Sequence, residues 1–101
     1  MLVNLTPHPI NLAGQIIPLS GQLARCSEII SEAGQFDGVS LINLAYGPVA
    51  GLPDPQPGTL YIVSALVRLA LPGRSDLASP GTLVRDEAGK VVGCQNLVVN
   101  H

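Results

Sequence analysis

Asn4, Thr6 and His8 stand at alternate positions of the segment Leu2–Ile10. In an extended chain that spacing projects three hydrogen-bonding side chains from one face, about 7 Å apart. Such a row can grip a polar ligand, and a histidine within it adds anion binding or general acid-base chemistry. The same pattern also describes an edge strand that shows polar residues to water. A second set is Arg68, Arg74 and Arg85, since four of the five basic residues are arginine. The planar guanidinium binds carboxylates and phosphates through two parallel hydrogen bonds, which lysine cannot do. Asp76 and Asp86 follow Arg74 and Arg85 closely, so structural ion pairs that pin two loops compete with a ligand reading. A third candidate is Ser64, at a predicted strand-to-helix junction where free backbone N–H groups favour an anion. A plain N-cap is the simpler account of that serine.

No complete catalytic set is evident. No serine lies in a GxSxG elbow, and of two histidines one is His101. An acid-base reading is confined to His8, with Asp76 or Asp86 orienting it. Cys26 and Cys94 lack CxxC spacing or nearby histidines, so neither a zinc nor a redox motif is present, and buried free thiols are expected. The seven acidic residues show no paired spacing, which leaves metal chemistry without support, and no cofactor motif occurs.

The elements that must position these residues belong to one domain. The chain has 101 residues, 47% of them hydrophobic and only 12% charged, with formal net charge -2. That is about half the usual charged fraction, too little to coat an isolated monomer, so a homo-oligomer is expected. The sparse basic residues exclude an electrostatic footprint for duplex nucleic acid. Leu60–Leu71, the longest apolar stretch, contains Arg68 and falls short of the roughly 20 residues a membrane helix needs. MLVNLTPHPI does not read as a secretory signal, which favours a cytoplasmic location.

Pro7 and Pro9 confine the first strand to an edge, or end it near His8. Gly14 and Gly21 punctuate the next stretch into Ile10–Ala13, Gln15–Leu19 and Gln22–Ile30, spaced like a meander. A polar turn is predicted at Ala33–Gly38, a strand at Val39–Ala45, and an extended loop at Tyr46–Gly58, where four prolines and three glycines cluster. Thr59–Val63 reads as a buried strand. Ser64 then caps a helix to Leu71, stopped by Pro72-Gly73 and apolar nearly all round, so packed on a sheet or a second subunit. After the loop Gly73–Gly81, Thr82–Arg85 and Val91–Val98 read as a hairpin with Gly89 in its left-handed position. The expected architecture is a small α+β domain with a mostly antiparallel, partly rolled sheet and one short helix. An all-β barrel is the alternative.

The segments Asn4-Leu5-Thr6-Pro7-His8-Pro9-Ile10, Tyr61-Ile62-Val63-Ser64, Arg74-Ser75-Asp76-Leu77, Val84-Arg85-Asp86-Glu87 and Val92-Gly93-Cys94 together resemble a family of small bacteriophage and prophage proteins. The family opens with NLTPH and closes with VRD and GC segments. The resemblance spans nearly the whole chain and implies a shared polar site around Thr6, His8, Arg74, Asp76, Arg85 and Asp86. It implies no particular activity. By context, small oligomeric phage proteins include antagonists that capture nucleotide-derived immune signals in the host cytoplasm. The leading expectation is therefore non-enzymatic binding of a small anionic, nucleotide-like ligand by Asn4, Thr6, His8, Ser64, Arg68, Arg74, Asp76 and Arg85, with Tyr46 or Tyr61 against a base. The alternatives are a small hydrolase or transferase using His8, and a structural or protein-interaction module of a virion or host inhibitor.

Overall fold

The computed structural model describes residues 1–101, in two four-stranded sheets, one long hairpin and one helix. In the first sheet β1 (Leu2–Asn4) and β6 (Leu60–Ile62) run parallel, β7 (Leu77–Pro80) runs parallel to β6, and β10 (Leu97–Val99) closes the far side antiparallel. The second sheet has the order β3-β2-β9-β8, from β2 (Ile10–Leu12), β3 (Gln15–Ile17), β8 (Leu83–Arg85) and β9 (Val91–Cys94). Both sheets are open, so the expected α+β class with a mostly antiparallel arrangement is what forms, and a closed barrel does not.

Strand β6 is the partition on which the domain is built. Side chains alternate across a strand: Tyr61 and Val63 point into a cluster with Leu5, Val67 and Leu77, whereas Ile62 joins Ile10, Ile17 and Cys94. Burial on both faces explains why this segment reads as an unbroken apolar run. The thiol of Cys94 is buried in the second cluster and Cys26 is half-buried; both are free.

Helix α1 (Ala65–Ala70) connects β6 to β7. Ser64 is its N-cap, extended at φ -66 and ψ 158, and its Oγ accepts from the Val67 N–H at 3.3 Å. Leu71 is the C-cap, and Pro72 cannot continue the helix. As expected, the helix packs on the first sheet: Val67 enters the core beside Leu77, while Leu66 and Leu69 face outward. No helix is long and apolar enough to cross a membrane.

Strands β4 (Arg25–Phe36) and β5 (Val39–Ala50) form a hairpin arm that leaves the body. Its turn is Asp37-Gly38, with φ +50 and +78, the two positive values that a type I′ turn requires. Two sequence expectations are corrected here. Ala33–Phe36 belongs to β4, which leaves a turn of only Asp37 and Gly38, and Tyr46–Ala50 belongs to β5, so the expected loop begins at Gly51. Pro48 is tolerated because the register slips beside it, between Cys26 and Glu28, and a bulge asks for no ladder donor.

The predicted strand Val91–Val98 is also divided, with β9 in one sheet and β10 in the other. The crossing at Gln95-Asn96 is tied to the matching crossing at Gly81-Thr82. Gly81 N–H donates to the Asn96 carbonyl at 2.9 Å and Thr82 N–H to Asn96 Oδ1 at 2.8 Å. A side chain at Gly81 would collide with Asn96 Oδ1, which explains the glycine. Gly89 takes φ +83 in the β8–β9 turn, as its position in the sequence requires.

Candidate functional site

The expected polar row does not form as an extended face. β1 ends at Asn4, and Thr6–His8 bend the chain from the first sheet into the second. Asn4 causes that bend. Its side chain is 1% exposed, and its Nδ2 donates to the carbonyls of His8 at 2.8 Å and Ile17 at 3.2 Å. Its Oδ1 accepts from the Thr6 N–H at 2.9 Å and the Thr6 hydroxyl at 2.6 Å. Both its donors and its acceptor are thus spent inside the protein, in the manner of an Asx turn. Asn4 is a positioning residue beneath the site and not a ligand contact.

What the bend achieves is a cleft of about 440 Å³ between the two sheets. Thr6 and His8 enter it from the crossing, Ser64 from the start of α1, and Asn11 from β2. The walls are apolar, from Pro9, Pro80, Leu83, Val91 and Val92. Cys94 also lines it, at the end of β9. His8 and Ser64 are exposed, whereas Thr6 is half-buried. The single hydroxyl proton of Thr6 is taken up within the bend, where Asn4 Oδ1 at 2.6 Å and the His8 carbonyl at 3.0 Å both accept it, so toward the cleft its oxygen acts as an acceptor.

Gly93 shapes the floor. A Cβ there would lie 2.7 Å from the Asn11 carbonyl oxygen, so glycine lets β9 approach β2 closely. Nothing in the sequence marks Asn11, because the residues that face it come from distant segments; Cys94 is marked there only as a free thiol without a local partner. The Val92-Gly93-Cys94 segment of the family resemblance was the available signal.

The arginines lie elsewhere. Arg68 donates through Nε to Ser79 Oγ at 2.8 Å and through Nη1 to Asn100 Oδ1 at 3.2 Å. Asn100 in turn donates to the carbonyls of Arg68, Leu71 and Arg74, at 3.0, 3.0 and 3.2 Å, and so holds the end of the helix. Arg74 grips Asp76 with two bonds of 2.8 Å and also donates to the Pro53 carbonyl at 3.0 Å. Their mutual hydrogen bonds raise the Arg74 pKa and hold the Asp76 carboxyl below its ordinary 3.8, against the opposing effect of burial. Arg85 is exposed and donates to the Gly89 carbonyl at 2.9 Å, within its own hairpin.

Asp86 does not pair with Arg85. Its Oδ1 accepts from the Ala88 and Lys90 N–H groups, both at 2.9 Å, and so closes the same turn. None of Arg68, Arg74, Arg85, Asp76 or Asp86 lines the cleft. The expected convergence of guanidinium groups is therefore replaced by local satisfaction of each one, and His8 has neither aspartate beside it in the cleft. Tyr61 is buried and its hydroxyl donates to the Asp54 carbonyl at 3.2 Å, while Tyr46 lies on the arm, so neither tyrosine faces the cleft.

No protein-family model, curated protein or solved structure matches the chain.

Proposed function

We propose that the chain binds a small molecule in the cleft between its two sheets and releases it chemically unchanged. The observation that carries this reading is the meeting of Thr6 and His8 with Ser64, distant from them in sequence, at one cavity of about 440 Å³. Small-ligand sites are concave spaces of about 300–1,000 Å³ with apolar walls and a few convergent polar groups. The ligand that suits it has a flat or apolar body against Pro80, Leu83 and Val92, and a polar or anionic edge toward Thr6, His8 and Ser64. A nucleotide-derived molecule is the specific candidate, in line with the phage-type resemblance. The arginines being engaged elsewhere, its charged edge would meet imidazole and hydroxyl groups.

Isothermal titration against cyclic dinucleotides, ADP-ribose derivatives and NAD tests this. We expect binding by at least one compound, intact ligand recovered after heat denaturation, and loss of affinity in both His8→Ala and the cleft-filling Leu83→Trp. Silence across the panel removes the nucleotide-derived class. Product formation that disappears in His8→Ala replaces capture by catalysis.

A further inference from the structure

Beyond Cys26 and Val49, which pack on the core of the body, the β4–β5 arm is covered by no segment of its own chain. Every residue from Ser27 to Tyr46 is exposed. The radius of gyration is 16.2 Å, against about 13 Å for a compact chain of this length. A two-stranded hairpin with nothing packed on it is marginal in water and needs further strands or a covered face.

Its two faces differ. The cross-strand register places Glu28 and Glu32 on one face, with Ile30, Ile42, Leu44 and Tyr46. On the other face lie the pairs Ile29–Ala45, Ser31–Asn43, Gly34–Leu41 and Phe36–Val39, with no charged side chain among them. Ile29, Phe36, Val39 and Leu41 are 59%, 68%, 61% and 40% exposed. With their small neighbours they offer on the order of 600 Å², the lower end of what one partner contributes to a stable complex.

Opposite charges stand at the two ends of this face. Arg25 is at the base of the arm, an even number of β4 positions from Ile29, and Asp37 is in the turn at the tip. Neither takes part in an ion pair, the one salt bridge of the chain being Arg74–Asp76.

We propose that this uncharged face is a homodimer interface, on which the arm of a second copy lies antiparallel about a two-fold axis. That overlay is self-complementary, as an isologous contact must be. It sets the tip Asp37 of each copy at the base Arg25 of the other. In that register the Ile29–Ala45 pair of each falls between the Ser31–Asn43 and Gly34–Leu41 pairs of the other, and the Phe36–Val39 pair reaches the Arg25 end. Glu28 and Glu32 remain in water on the outer faces, so burial strands no charge.

Sedimentation equilibrium of the full chain is the test. The wild type should show twice the chain mass. Leu41→Glu should weaken dimerisation by at least about 30-fold, as expected for a buried anchor, while Ile42→Lys on the opposite face should leave it unchanged. Arg25→Asp and Asp37→Arg should each weaken the dimer, and the double reversal should restore it, which unfolding of a variant cannot mimic. A wild type that is monomeric at its highest soluble concentration overturns the proposal. Equal loss from both faces, or no rescue by the double reversal, does the same.

Discussion

The body and the arm use similar residues to opposite ends. In the body, Leu5, Ile62, Val63, Val67 and Leu77 are at most 1% exposed around β6. On the arm, Ile29, Ile30, Phe36 and Val39 are 59–68% exposed, although the arm has the longest strands of the molecule. Strand length and branched side chains are therefore not what stabilises this fold; coverage is. The body gains it from the crossing of two short-stranded sheets over one partition, and the same crossing opens the cleft. Beyond its base, where Cys26 and Val49 pack on the first core cluster, the arm has a tight turn and a long ladder but nothing to bury against within one copy.

The sharpest way to break this contrast is to truncate one residue in each region. Leu77→Ala in the body should lower unfolding free energy in urea by about 2–5 kcal/mol, through lost burial and the cavity left behind. Ile30→Ala on the arm should change it by no more than about 0.5 kcal/mol, as for a surface position. Equal costs would mean that the arm is packed in the monomer.

Next in size is Asn4→Ala, expected to cost about 3 kcal/mol, since it leaves the His8 and Ile17 carbonyls and the Thr6 N–H without their partner. It should also weaken ligand binding, because the bend that brings His8 to the cleft depends on those bonds. His8→Ala should reduce binding with unchanged stability. The pair of variants thus separates the residue that positions the site from one that lines it.

The smallest effect concerns Arg74–Asp76, whose side chains are 24% and 15% exposed. Asp76→Asn should cost about 1 kcal/mol at neutral pH, a partly screened pair. The folded-state pKa of Asp76 lies below its ordinary 3.8, so the folded state favours the carboxylate. Its contribution is fully present above the unfolded value and is lost as pH falls through the folded one. Urea midpoints of wild type and Asp76→Asn should therefore converge below about pH 4.

Features that depend on neighbours in sequence were legible. Ser64 ahead of an apolar run and Pro72-Gly73 behind it delimit α1, and Gly89 marks its turn, because capping and positive φ are local demands. Features set by distant partners were not. Tyr46–Ala50 carries a proline and a glycine, and only the slipped register opposite Ser27 makes it a strand. A Cβ at Gly47 would meet Ser27 Oγ, which would have to turn away. Val91–Val98 looks continuous because both its halves are apolar; the break at Gln95-Asn96 exists to meet Gly81-Thr82. Alternation placed Asn4 with Thr6 and His8 as equals, whereas an asparagine can also spend its amide on the backbone two residues on. The arginines read as a ligand set from their type, yet each found carbonyls, a carboxylate, a serine hydroxyl or an asparagine amide within its own neighbourhood.

The division of labour between body and arm is tested most directly by amide hydrogen exchange at two protein concentrations, one below and one above the dimerisation range. Amides of β6 and β7 should be protected to the same degree at both, and those from Ile29 to Ala45 should become protected only at the higher concentration. Strong protection of the arm at the lower concentration, equal to that of β6, would contradict the account.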